Sequence, residues 1–196
     1  HPREHDNGQY HFYYTVKDSD GAFATTPAMV ELNILAVNDS PVAIGGHTYI
    51  LQEDVSLSFE ISGTDVDHNI FDVSNFTFKI IQTVQDGSLL DVCNNSQVIG
   101  NNTELSGNRL IYQPNEHYYG NDEFTFTVTD LSGIESSIAT IYFAIAGSND
   151  FPVAYGATLY GTEDVSKVID LSATDVDQLI HDITSFRFFI ASNVSS

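Results

Sequence analysis

Cationic side chains are scarce: six Lys and Arg stand against 27 Asp and Glu in 196 residues, a formal charge of −21. That scarcity excludes the basic patches that nucleic acid and anionic membrane surfaces require. The surplus of acid favours metal cations or basic partners. One cysteine, Cys93, leaves no disulfide framework. It is expected to be a small buried hydrophobe, with an intermolecular bridge as the alternative. Tryptophan is absent, which removes the usual stacking platform for a sugar. No apolar run approaches the roughly 20 residues of a membrane helix, so no part of this segment is expected to insert in a bilayer. There is no Gly-rich phosphate loop and no Gly-x-Ser-x-Gly motif.

What the chain does have is a repeat. Asn38-Asp39-Ser40-Pro41-Val42-Ala43 returns as Asn149-Asp150-Phe151-Pro152-Val153-Ala154, 111 positions on from Pro41 to Pro152. Glu53-Asp54-Val55-Ser56 recurs as Glu163-Asp164-Val165-Ser166, and Thr64-Asp65-Val66-Asp67 as Thr174-Asp175-Val176-Asp177. Upstream, Pro2, Gly8, Phe12 and Asp18 answer Pro114, Gly120, Phe124 and Asp130. The register predicts residues 1–39 as the C-terminal part of one repeat, 40–150 as a complete repeat and 151–196 as the N-terminal part of a third. Such a chain would be cut from a longer array, or completed by neighbouring copies of itself.

Within the complete repeat, alternation marks strands. Phe124-Thr-Phe126-Thr-Val128-Thr puts apolar groups on one face and threonines on the other. The same period runs through Val55–Ile61, Phe76–Ile80 and Ala139–Ile145, and through Phe186–Ile190 beyond it. Arg109–Gln113 supplies a further strand, and Met29–Val37 is the first-repeat counterpart of the last one. Asp86-Gly87 between apolar runs predicts a type I′ hairpin, which needs positive φ. About seven short strands per repeat and no helical period predict an all-β fold of tandem antiparallel Greek-key β-sandwiches. Asn-x-Ser/Thr sequons at Asn38, Asn75, Asn94, Asn101 and Asn193 point to N-linked glycans and a eukaryotic secretory route, with Asn94 and Asn101 in a polar loop, Cys93–Asn108.

The ordered set Glu-Asp-Val, Thr-Asp-Val-Asp, Tyr119-Gly-x-Asp122-x-Phe-x-Phe-x-Val-x-Asp130 and Asn149-Asp150-x-Pro152-Val-Ala resembles tandem cadherin-like (Ig-like) repeats of large extracellular adhesins and fibre proteins. The resemblance implies a rod of sandwiches with calcium clamped at the junctions. It implies Asn38, Asp39, Asp65, Asp67 and Asp130 as ligands at the first junction. At the second it implies Asn149, Asp150, Asp175 and Asp177, with Glu53 from the domain above and Asp122 or Glu116 joining. The sequence departs from the family pattern at Val37 and Ser40, at Ser148 and Phe151, and at Tyr10, which stands where Asp122 recurs. One ion per linker is therefore expected.

The chemistry supports calcium separately, since it takes six to eight oxygens near 2.4 Å. Alternate residues share a strand face, so Asp65 and Asp67 should project together. Two such charges about 5 Å apart repel by roughly 3 kcal/mol at an effective dielectric near 20. Oxygen ligation without a His or Cys cluster argues against a softer metal. Asp20, Asp54 and Asp72 are expected to cap turns instead.

Catalysis finds little footing. His1, His5 and His11 are too loosely spaced for a metal site, and His68 and His117 have no nucleophile at motif spacing. The carboxylate pairs could mimic a glycosidase, but they recur at every repeat end, which suits a junction and not one cleft. The sequence thus predicts a non-enzymatic, extracellular structural segment building a fibre or sheath. The alternatives are the stalk of a calcium-dependent cell-surface adhesin and a spacer arm on a surface enzyme. A subsidiary expectation is a homopolymer in which residues 1–39 of one copy complete 151–196 of another.

Overall fold

A computed structural model describes residues 3, 5–67, 73–179 and 186–191. Pro2, His1, His68, Asp72 and Asn193 lie outside the described residues.

The complete repeat closes as a two-sheet sandwich. One sheet runs β10 (Thr103–Glu104), β7 (Thr77–Gln82), β12 (Gly120–Thr129), β13 (Ala139–Ala146), β4 (Thr48–Gln52). The other runs β5 (Leu57–Glu60), β11 (Arg109–Pro114), β8 (Gly87–Asp91), β9 (Gln97–Val98). The chain passes between the sheets from β4 to β5, from β5 to β7 and from β7 to β8, which gives the Greek-key connections expected. One pairing is parallel: β4 lies beside β13 with Phe143 opposite Tyr49. β4 has little alternation, and Ile50 faces solvent at its centre, so its sequence carries no clear strand signal. A further short pair, β3 (Val42–Ala43) with β6 (Gly63–Thr64), ties the linker to the top of the sandwich.

Alternation fixes the core. Phe124, Phe126 and Val128 of β12 are fully buried, with Phe78, Ile80, Leu110, Tyr112 and Phe143 packed around them. The Tyr112 and Phe143 rings stack at 3.9 Å between centroids. Burying each such side chain stabilises the fold by roughly 1.5–3 kcal/mol, so a disulfide is not required. Cys93 differs from expectation: it is exposed, in a short turn, with its sulfur packed against Gly107.

Asp86-Gly87 is not a hairpin turn. β7 and β8 belong to different sheets, and Gly87 pairs with Pro114 of β11. Its φ is not positive. Glycine is required there by proximity, because a Cβ would meet the Gln113 carbonyl at 2.6 Å.

The flanking segments repeat parts of this plan. β1 (Gly8–Tyr14) and β2 (Ala28–Ile34) form an antiparallel pair with Phe12 opposite Val30, the register of Phe124 opposite Ile141. β14 (Val153–Tyr155) pairs with β15 (Ser172–Thr174), Val153 opposite Thr174, as Val42 lies opposite Thr64. Residues 186–190 are not a strand despite their alternation. Their counterpart β7 is held between β12 and β10, and nothing among the described residues plays those parts.

Candidate metal centre at the linkers

Both linkers are organised by the same hydrogen bonds. At the first, the Asp39 N–H donates to Asp67 Oδ2 at 2.6 Å, and the Asp67 N–H to Asp65 Oδ1 at 2.8 Å. At the second, the Asp150 N–H donates to Asp177 Oδ2, and the Asp177 N–H to Asp175 Oδ1 at 2.9 Å. The Asp-x-Asp pair is therefore held as a turn in which the first aspartate accepts from the backbone of the second. It does not share a strand face: β6 ends at Thr64 and β15 at Thr174, before either pair begins. The Asn38 amide donates to the Asp39 carbonyl at 2.9 Å and to Asp130 Oδ2 at 2.7 Å. Asn149 repeats the first of these bonds, to the Asp150 carbonyl. Both Asn38 amide hydrogens are thus engaged in the linker. Asn94 and Asn101 are exposed, and Asn75 is half-buried beside β7.

Asp130 closes the first linker from below. Its carboxyl lies under the ordinary carboxylate range, chiefly because the Asn38 amide bonds to it; burial works the other way, and the N–H groups of Ile134, Ser132 and Gly133 add to the lowering.

At the second linker three carboxylates converge. Oxygens of Glu53, Asp150 and Asp177 lie within 4.8 Å of one another. Glu53 and Asp177 are almost wholly buried, at 2% and 1% exposure. Glu53 Oε1 accepts from the Ser148 N–H, whereas its buried Oε2 has no hydrogen-bond partner. A buried carboxylate oxygen without a donor, facing two more carboxylates, is the arrangement a cation resolves. Three carboxylates drawn from three chain segments make an all-oxygen set. That is the ligand chemistry of calcium, which takes six to eight oxygens in flexible geometry, whereas magnesium keeps several waters and uses only one or two carboxylates. The residues fit calcium. At the first linker the described residues form no such three-carboxylate group, and the repeat position equivalent to Glu53 falls before His1.

Asp122 is not brought to this centre. It accepts from the Gln85, Asp86 and Glu123 N–H groups and the Tyr112 hydroxyl, at 2.9–3.0 Å. It clamps the β7–β8 connection from inside the domain. Burial, joined by the charge and hydrogen bond of Asp122, pushes the Tyr112 hydroxyl well above its ordinary pKa. Asp54 bonds across the fold, accepting the His117 N–H at 2.9 Å. The acid that caps the first loop is Asp18, which accepts from Asp20 and Ala22.

Histidine is what sequence reasoning missed. His5 Nδ1 lies 2.7 Å from Asp39 Oδ2, and His117 Nδ1 lies 2.8 Å from Asp150 Oδ2. The signal was present: the two histidines stand at the same offset as Gly8 and Gly120. Burial pulls the His117 imidazole down, but its hydrogen bond to Asp150 and the charges of Asp150, Asp54 and Glu116 leave it above its ordinary pKa.

The profile of the bacterial Ig domain matches residues 38–143, more than half of the chain and nearly the whole closed sandwich. The chain belongs to the bacterial Ig domain family. The resemblance to cadherin-like repeats thus holds at the coarser level of an Ig-like repeat. Among curated proteins none matches. Similar solved structures include the fibronectin(III)-like modules of Clostridium thermocellum CbhA, at 14% identity, 72% of this chain, 64% of that one and a TM-score of 0.32. The sialic acid binding region of a Streptococcus sanguinis SK1 adhesin is 13% identical over 71% of this chain and 40% of its own, with a TM-score of 0.35. The human desmocollin-1 ectodomain is 16% identical over 85% and 32%, with a TM-score of 0.41. The chain therefore spans less than two thirds of each, and superpositions this loose add nothing to the family.

Proposed function

We propose that this segment belongs to a secreted or surface-exposed Ig-repeat protein in which calcium, held at each linker, stiffens the array into an extracellular fibre or sheath. The reading is carried by the convergence of Glu53, Asp150 and Asp177, which come from the end of one sandwich, the linker and the segment after it. Without a cation each pair of these charges repels by about 3 kcal/mol at an effective dielectric near 20. With one, three chain segments are tied to a single ion and rotation about the linker is restrained. Matching hydrogen bonds at Asp39 and Asp150 support a device repeated from junction to junction. N-linked glycans at the exposed Asn94 and Asn101 would be compatible with such a surface.

The same junction would serve the stalk of a calcium-dependent adhesin, and assembly separates the two. Regular polymers of purified protein favour the fibre; a monomeric rod favours the stalk. The calcium reading itself is tested by thermal unfolding with and without chelator, joined to small-angle scattering. Chelation should lower the melting temperature and widen the distribution of interdomain angles, because a ligand bound only by the native state stabilises it. Asp65→Ala/Asp67→Ala should loosen the first linker as chelation does. If chelator and double variant both leave melting and scattering unchanged, the junction reading fails.

A further inference from the structure

We propose that His117, and His5 at the preceding linker, are positioning residues that hold the linker aspartate in the orientation the cation requires. The inference rests on the calcium reading and assigns a role to a residue type that reading does not need.

Three observations carry it. The contact recurs: two histidines 112 positions apart make the same Nδ1 to Oδ2 approach, at 2.7 and 2.8 Å, to linker aspartates that also correspond. The backbone recurs as well. His5 and His117 both sit in the left-handed region, with φ of 61° and 58°, which most side chains avoid at some cost and His, Asn and Asp enter most readily. A conformation that costs free energy at equivalent places in two repeats is maintained by what surrounds it. At His117 that surrounding is visible, because Asp54, itself at φ 60°, accepts the His117 N–H and fixes the turn. Third, Asp150 belongs to two groups at once, meeting His117 and Asp54 on one side and Glu53 and Asp177 on the other.

An ionised carboxylate only accepts, so Nδ1 carries the proton and donates. Asp150 is thereby held from outside the converging carboxylates by a side chain and from its own backbone by Asp177. Outer partners of this kind orient a ligand and set its affinity, and their loss typically weakens binding about 10–100-fold. The imidazole acts through Asp150.

The test uses the full chain carrying Asp39→Asn and Asp67→Asn, so that only the second linker reports. Calcium chloride is titrated by calorimetry into this parent, into His117→Gly and into His117→Asn. Glycine removes the donor and relaxes the left-handed backbone; asparagine tolerates that backbone and offers an amide N–H near the Nδ1 position. We expect calcium affinity to fall about tenfold or more in His117→Gly and to return most of the way in His117→Asn. Melting in chelator should be alike for the two variants, because a donor to a metal ligand matters when the metal is bound. Equal affinity in parent and His117→Gly overturns the positioning role while leaving the calcium reading intact. Equally weak binding in both variants also overturns it, since the donor would then not be what matters. A parent that binds no calcium overturns both.

Discussion

Two hairpins of this molecule share one pattern and differ in everything around it. β12 and β13 pair Phe124 with Ile141; β1 and β2 pair Phe12 with Val30 in the same register. Phe124 and Phe126 are wholly buried, whereas their counterparts Phe12 and Tyr14 are 56% and 48% exposed. Strand pairing is thus written locally, in alternation and in the glycine that opens each hairpin. Burial is not, because it comes from β4, β5, β7, β8 and β11, which reach β12 and β13 from distant parts of the chain. An isolated two-stranded hairpin is marginal in water, so the first hairpin should contribute little to the measured stability of this chain.

That contrast yields the largest expected effect. Phe126→Ala should destabilise the sandwich by about 3–5 kcal/mol, as for other large aromatic truncations in cores. Tyr14→Ala, at the equivalent place, should stay within about 0.5 kcal/mol. Urea unfolding of both variants decides it; an equal loss would mean that the first hairpin is packed against something in solution. The linkers give the next largest difference. Where calcium stands at a hundredfold excess over its dissociation constant, it adds about 2.7 kcal/mol of stability. Asp150→Asn should remove most of that increment, and Asp39→Asn much less, since a partner like Glu53 is present at the second linker alone among the described residues. The readout is the calcium-dependent part of the melting temperature in each variant.

The strands with clean alternation, β5, β7, β11, β12 and β13, are legible in the sequence, and so is the sandwich they build. β4 is not, because Ile50 points outward and the strand is recruited by β13 through a parallel pairing. Phe186–Ile190 has the pattern, but among the described residues it forms no strand. The linker acids are legible from their recurrence, but Asp122 misleads: an aspartate at a strand start reads the same whether it faces an ion or, as here, four donors inside its own domain. The histidines escape notice for the opposite reason. A metal-site pattern seeks them as a cluster along the sequence, whereas each one's partner is an aspartate about 33 positions away (His5 to Asp39, His117 to Asp150).

The opening glycines sharpen the comparison further. Gly120 has φ +139° and a Cβ there would lie 2.9 Å from the Tyr118 hydroxyl; Gly8 has φ +118° with open space around it. Alanine at either position, at a positive φ that residues other than glycine rarely adopt, strains the backbone by roughly 1–3 kcal/mol. Only at Gly120 must Tyr118 also shift, breaking its 2.8 Å bond to the Asn121 carbonyl. Gly120→Ala should therefore lower the global urea midpoint. Gly8→Ala should leave it in place and speed amide exchange in β1 and β2 alone.

The smallest effect concerns acid. Asp130 has a folded pKa below its unfolded value, mainly through the Asn38 amide. A lowered carboxyl contributes stability that is present above the unfolded pKa, near 3.9, and is lost as pH falls through the folded one. Asn38→Ala removes the principal cause, so the folded and unfolded values approach each other and this contribution shrinks at neutral pH. The variant should show a slightly lower urea midpoint near neutral pH and converge with the parent once the pH has fallen below the folded pKa. Asp18 stands where Asp130 does, in the hairpin that is largely exposed among the described residues, and Asp18→Asn should leave the acid limb of the midpoint curve unmoved. If it shifts that limb as Asn38→Ala does, the first hairpin is coupled to global unfolding, and the contrast between the two regions is narrower than their exposure implies.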